Sequence, residues 1–448
     1  MRSIPARKVF VLRQSTQRSL CRWLVVMGGM APFLLVVLGS VVISTSWYRD
    51  YQRSVWEVRI RDHLGVRVRA RDFEWTAPNQ FHATDLEVRH PETGALMARV
   101  PRVDGLMKSK GWSLIIDSPV LDGAQIEDGI QVLHDWFLCR PQTASHLVAL
   151  AIPKGVAIHH ATGMTQIERM EVLLRPSERS SLIQAKMTLA DQPFGEVTLQ
   201  VTRDHGPEQT GTSVELTSPT VWLPCAVVGE RFPSLQSLGT LARFRGTLRC
   251  NFSPHQWDAA MTGEVEQLDV TSATSAMGSP IRSLGGLRLE QLNVRDGKIL
   301  RAVGEFHCAG GTADALWLKR LAQQLALPSQ WSGPGLESLR IGKIGFRFTL
   351  DAEGLVLVGL LPGPANWPPV AAQLDGATMC SEPGPRSMTA LVHALQAVPL
   401  SEDRSGPVLD ASTANLSSVL PWPNEIQSPA TSSLRSRLTK HMGDRSTR

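Results

Sequence analysis

Two patterns of hydrophobic and polar positions divide this chain. Residues 23–43 (WLVVMGGMAPFLLVVLGSVVI) form an uncharged run long enough to cross a bilayer core of about 30 Å as a helix. Past residue 50 the pattern changes to short runs in which apolar and polar residues alternate, the period of a strand with one covered face. Residues 66–71 (VRVRAR) show it most clearly, with arginine at every second position. Comparable runs recur at 81–88, 99–103, 112–116, 156–159, 171–175, 182–189, 195–201, 213–217 and 241–251. They continue at 264–271, 287–294, 298–306, 339–350 and 355–361. Gly, Pro, Asn and Asp separate them, and Asp122-Gly123 and Asp296-Gly297 are tight-turn dipeptides. Strands this short and this frequent predict a largely antiparallel protein built from meanders. Residues 54–62 (SVWEVRIRD) fit a strand or a helix continuing from the apolar run.

Helical periodicity is scarce. Residues 127–138 (EDGIQVLHDWFL) predict a short helix stopped near Pro141. Residues 312–326 (TADALWLKRLAQQLA) predict a better one, with Thr312 as cap, Asp314 at the start and Leu316, Leu321 and Leu325 at helical spacing. Gly310-Gly311 then reads as the break of a strand–Gly-Gly–helix unit. Residues 391–397 add another turn or two. From 401 to 448 the chain is rich in Ser, Thr, Pro and Arg without a period, and reads as a disordered tail.

Charge gives the apolar run a direction. Arg2, Arg7, Lys8, Arg13, Arg18 and Arg22 precede it, and the first acidic residue is Asp50. Trp47, Tyr48 and Tyr51 follow, the last two being the only tyrosines of the chain. A basic arm over 1–22 and interfacial aromatics beyond the run predict a single span over 23–46 with its N-terminus in the cytoplasm. The predicted anchor comprises Trp23, Leu24, Val25, Val26, Phe33, Leu34, Leu35, Val36, Val37, Leu38, Val41, Val42 and Ile43, with Trp47 and Tyr48 at the interface. A cleaved signal peptide is the competing reading; its apolar core is normally about 7–15 residues, and VVISTSWYRD makes a poor cleavage site.

Composition narrows the function classes. The net charge of +5 is supplied by the six basic residues of the arm, so the body is near neutral and carries no footprint for nucleic acid. Six scattered cysteines form neither a CxxC nor a zinc pattern; Cys225 and Cys250 could pair in an oxidising compartment, against isolated thiols as the plainer state. The 12 histidines show no HExxH or HxH spacing, and His159-His160, adjacent in a strand, would face opposite ways. Asp117 and Asp122 are candidate paired carboxylates, with Asp-Gly turn chemistry as the simpler account of Asp122. Gly163-Met164-Thr165 and Gly310-Gly311-Thr312 match no phosphate-binding fingerprint, and Gly-x-Ser-x-Gly is missing. No catalytic, cofactor-binding or metal-ligating set is predicted.

Residues 64–126 go further than composition. They run from Leu64-Gly65 through a strand to Trp75-x-x-Pro78, then Asp85-Leu86-x-Val88, a Pro91-x-x-Gly94 turn, a strand at 98–103 and Ser118-Pro119-Val120-Leu121-Asp122-Gly123-Ala124. This order resembles the N-terminal part of the bacterial AsmA-like family, and residues 298–326 with 341–359 are similar in style to its C-terminal part. The resemblance implies a mainly β protein: one N-terminal transmembrane helix, then an elongated, twisted antiparallel sheet curled into a trough with an apolar inner face, and a few short helices. It divides the body into an AsmA-like region at 50–275 and a second β-rich region at 276–400. It implies a bacterial inner-membrane protein with a periplasmic body, which binds or helps transfer phospholipid between membranes or supports outer-membrane assembly with envelope protein partners. A body of some 400 residues is short for a complete bridge, which favours a partial conduit, shuttle or accessory.

Within that frame Phe346, Phe348 and Leu350 fall on one strand face and are candidate groove residues. Arg67, Arg69 and Arg71 are candidate headgroup contacts close to the membrane. The alternatives are a non-enzymatic periplasmic scaffold with a filled β core and, third, an anchored envelope hydrolase, for which no converging carboxylates are legible.

Overall fold

The computed structural model describes residues 14–109, 111–140, 147–160, 163–206, 210–225, 238–275, 281–329, 338–363, 368–373, 378–382, 384–395 and 419–421. The predicted tail at 401–448 therefore lies outside the described residues, apart from a short piece whose Leu420 packs into the C-terminal core.

The N-terminal apolar run is helical throughout. Helix α1 (Gln14–Val25) passes through a π-helical turn at Val26–Met30 into α2 (Ala31–Ser44). Over 15–42 this helix is long and apolar enough to cross a membrane, its most apolar 18-residue window having a mean hydropathy of 2.3. Phe33, Leu34, Leu35 and Leu38 all stand exposed, so the body does not cover it. Thr45, in extended conformation, ends the run and caps α3 (Ser46–Leu64), its hydroxyl accepting from the Tyr48 N–H at 3.4 Å. The apolar helix thus ends at Ser44, and Trp47 and Tyr48 lie in the first turn of the next helix. Residues 54–62 are helical, because Trp56 and Ile60, four apart, bury one side of α3 against Phe73 and Phe81. Gly65 closes α3 in the left-handed conformation at φ 71°, with its N–H on the Arg61 carbonyl at 2.8 Å.

The rest of the fold is one sheet. Its first strands are β1 (Arg67–Arg69), β2 (Asp72–Ala77), β3 (Gln80–Arg89), β4 (Leu96–Lys108), β5 (Gly111–Asp117) and β6 (Val120–Asp122). Helix α4 (Ile126–Val132) and a second π-helical turn, Leu133–Leu138, then cross over to β7 (Leu147–Ile152) and β8 (Val156–His160), which pair in parallel with β5 and β6. The meander continues through β9 (Gly163–Arg175), β10 (Ser180–Leu189), β11 (Gln192–His205), β12 (Thr210–Pro224), β13 (Arg243–Phe252) and β14 (Trp257–Asp269). After a short α5 (Val270–Ser275) come β15 (Leu284–Arg295), β16 (Lys298–Asp314), α6 (Ala315–Gln324), β17 (Ser338–Asp351) and β18 (Gly354–Gly359). Three short strands, β19 (Pro369–Gln373), β20 (Thr378–Cys380) and β21 (Pro385–Arg386), and α7 (Met388–Leu395) complete the described part. From β9 to β18 each strand pairs antiparallel with the next. Asp296 and Gly297, both at positive φ, close the β15–β16 hairpin in two residues, as that dipeptide predicts.

One expected unit is different. Gly310 and Gly311 do not break the strand: β16 runs through them and pairs to Asp314. The helix therefore starts later than expected, and Asp314 rather than Thr312 caps it, accepting from the Trp317 N–H at 2.9 Å. Pairing with β17 outweighs the weak strand propensity of the glycines.

Side chains meet in three clusters. An N-terminal core joins Trp56, Phe73, Phe81, Trp112 and Phe137; a small one joins Ile152, Val156, Val197 and Val221; a C-terminal one joins α6 and α7 to β13–β20. Bulges adjust the inner face. In β15 the register slips between Leu289 and Gln291, so Leu289 and Leu292 reach the same face across an odd spacing. Gly246 and Gly263 oppose each other on β13 and β14 at φ 145° and 149°, where a Cβ on Gly246 would collide with the Thr262 carbonyl. Replacing Gly246 by Ala is expected to cost about 2–4 kcal/mol, read as a lower denaturation midpoint of the full chain.

Candidate functional site

Strand alternation and antiparallel register together set an apolar row across eleven strands. It runs Leu150, Val172, Ala185, Leu199, Leu216, Leu248, Met261, Leu292, Ala302, Leu350, Leu355, each the direct cross-strand partner of the next. A second row two residues along includes Val148, Leu174, Ile183, Val201, Val214, Cys250, Ala259 and Val294. The intervening positions, on the other face, carry Gln184, Gln200, Glu215 and Arg249, the last two an ion pair at 2.7 Å. One face is apolar across the sheet and the other is polar.

Burial along the first row is uneven. Ala185, Ala302, Leu350 and Leu355 are buried and the other members half-buried; of these Leu150 and Val172 pack on the N-terminal core, Leu216 on the small cluster, and Met261 and Leu292 on the C-terminal core. Leu199, Val214 and Leu248 belong to none of the three clusters. Among the described residues, then, the apolar face is packed toward each end and partly open over β11–β15, at Leu199, Leu248 and the second-row Val214, Cys250, Ala259 and Val294.

The row beyond the second one changes character. On the same face it reads Ser181, Arg203, Thr212, Phe252, Trp257, and is polar over β10–β12. Arg203 donates to Thr212 Oγ1 at 2.8 Å and lies 3.4 Å from His134 Nε2; among the described residues no carboxylate pairs with it. Ser181, fully buried, bonds His205 Nε2 at 3.0 Å. Burial, and secondarily the Arg203 charge, hold His205 below its ordinary 6.5. The partly open apolar stretch thus ends in a half-buried guanidinium, the arrangement that suits an amphiphile with an anionic end.

The structure places the expected residues as follows. Phe346, Phe348 and Leu350 share one face as expected, but they pack with Phe306 against the C-terminal core rather than along the open stretch. Arg67, Arg69 and Arg71 are exposed on one side of the first strand and the residues after it; Arg71 lies 3.5 Å from Asp85, and its carbonyl accepts from Arg53 at 3.0 Å. A cleft between the start of α3 and β2 is lined by Tyr48, Arg49, Arg53, Arg71 and Trp75. Asp117 and Asp122 do not converge on a common function: Asp117 pairs with Lys154 at 2.6 Å, and Asp122 caps the turn after it through the Ala124 N–H. His159 and His160 both lie in β8, and all six cysteines are free thiols.

Sequence reading did not single out Arg203, His134 or the central leucines. The leucines were each visible in an alternating run; their common row depends on register, which no single run contains. Comparison with protein-family models, with curated proteins and with solved structures finds no match to this chain.

Because His205 charges less readily in the fold than in the unfolded chain, the unfolded state takes up more protons as pH falls through 6.5, and stability declines over that window. Arg203→Gln removes one of the two depressing causes, so the His205 resonance should titrate at higher pH in the variant by NMR.

Proposed function

We propose that this chain is a membrane-anchored protein that holds a lipid on the apolar face of its sheet. The observation that carries the reading is the half-buried apolar stretch over β11–β15, from Leu199 and Val214 through Leu248 to Val294, outside the packed clusters. Each CH₂ of an acyl chain laid over it contributes about 0.8 kcal/mol, so burial alone supplies the affinity. Arg203, beyond the end of the apolar rows, suits the phosphate of the headgroup. The N-terminal helix serves as the anchor, with the basic arm in the cytoplasm and the sheet in the periplasm of a bacterial envelope, in the manner of the AsmA-like proteins that residues 64–126 resemble. Phospholipid transfer or support of outer-membrane assembly follows from that placement.

The packing of Phe346, Phe348 and Leu350 into the C-terminal core favours a second reading, a periplasmic scaffold whose core is filled and whose partners are envelope proteins. A photo-crosslinking residue separates the two. Placed at 199 in the full chain in native membranes, it should yield lipid adducts; placed at 200, on the polar face, it should not. Protein adducts alone at 199, or equal labelling at both positions, would favour the scaffold. The anchor has its own check: alkaline carbonate extraction should leave the chain in the membrane pellet, and release into the supernatant would point to a cleaved signal instead.

A further inference from the structure

The turn that covers the N-terminal end of the apolar face is wound more loosely than an α-helix. Cys139 donates its backbone N–H to the His134 carbonyl at 2.9 Å, a closure of five residues instead of four. In an α-helix residues five apart stand roughly 140° apart about the axis and cannot share a ligand. Here Cys139 Sγ comes to 3.7 Å from His134 Nδ1 and 3.8 Å from Nε2, while Asp135 Oδ1 lies 2.9 Å from Nδ1. One ligand atom from each of the three residues falls within 4.8 Å of the others. Phe137 and Leu138, both buried, fasten the turn into the N-terminal core, so its winding is part of the fold.

We propose that His134, Asp135 and Cys139 bind one divalent transition-metal ion of the zinc class through imidazole, carboxylate and thiolate. Tetrahedral zinc with bonds of about 2.0–2.3 Å sets nitrogen and sulfur about 3.6 Å apart and nitrogen and oxygen about 3.4 Å apart. The sulfur stands at that separation from Nδ1 but equally close to Nε2, so to meet an ion in the ring plane the thiol has to swing away from Nε2 by roughly an ångström or more, and the exposed Asp135 carboxylate has to withdraw by roughly half an ångström. A mixed nitrogen, sulfur and oxygen set selects zinc or cobalt over magnesium or calcium. Cys139 is exposed, whereas Cys225, Cys308 and Cys380 are buried, so the ion has access to this thiol. Three protein ligands leave a fourth position for water or an anion.

Arg203 works against the ion. With metal on Nδ1 the ring proton moves to Nε2, which becomes a donor facing the guanidinium 3.4 Å away. The added positive charge opposes Arg203 as well. Removing that charge therefore strengthens the site, an effect opposite to that of removing a ligand.

Cobalt(II) titrated into the reduced full chain in detergent provides the test. One Co²⁺ per chain is expected, with a thiolate-to-cobalt absorption band in the near ultraviolet that equimolar Zn²⁺ displaces. Cys139→Ser abolishes the band and Cys21→Ser keeps it; His134→Gln and Asp135→Asn each weaken binding by about tenfold or more. Arg203→Gln tightens it severalfold. Far-ultraviolet circular dichroism identifies any variant that fails to fold, and the exposed Asp135→Asn then decides in its place. Absence of the band in the wild-type chain, or its persistence in Cys139→Ser, overturns the site. Unchanged affinity in Arg203→Gln overturns the Nδ1 assignment.

Discussion

Everything on the inner face depends on register. A strand alternates its side chains with period two, so a slip of one residue in any hairpin would turn that strand's apolar set outward. In-register pairing from Leu150 to Leu355 is what converts eleven separate amphipathic strands into one apolar surface. The bulge between Leu289 and Gln291 belongs to the same device: both neighbouring strands shift with it, and the row continues through Leu292 unbroken. Polar cross-strand pairs such as Arg249–Glu215 and Arg347–Glu305 hold the opposite face, and, being exposed, they contribute to pairing specificity more than to stability.

The class of fold was legible because its signals are local. Alternation in 66–71, 182–189 and 195–201 and the Asp296-Gly297 turn each declare a strand or hairpin without help from distant residues. The uncharged run at 23–43 declares a helix long and apolar enough to cross a membrane for the same reason. Where tertiary context decides, the local signal misled: Gly310 and Gly311 looked like a break, yet pairing with β17 carries the strand on to Asp314. Residues 54–62 were ambiguous because their apolar positions suit two periods, and the fit of Trp56 and Ile60 to the aromatic core selects the helix.

The site was less legible than the fold. Arg203 looks like any solvated arginine until its parity with Val201 and Leu199 places it on the apolar side. His134 and Cys139 are separated by an interval that no α-helix brings together, and only the π-helical winding makes them neighbours. Phe346 and Phe348 were the more conspicuous hydrophobic pair, but conspicuous aromatics are the ones a core uses first.

One extended residue, Thr45, is all that separates the apolar helix from α3, which is itself packed into the body. Two torsion angles therefore govern how the body sits on its stalk, far fewer than a flexible tether would leave. The near end of the body therefore stays within the length of α3, roughly 28 Å, of the end of the apolar helix, so the two can pivot about Thr45 without drawing apart.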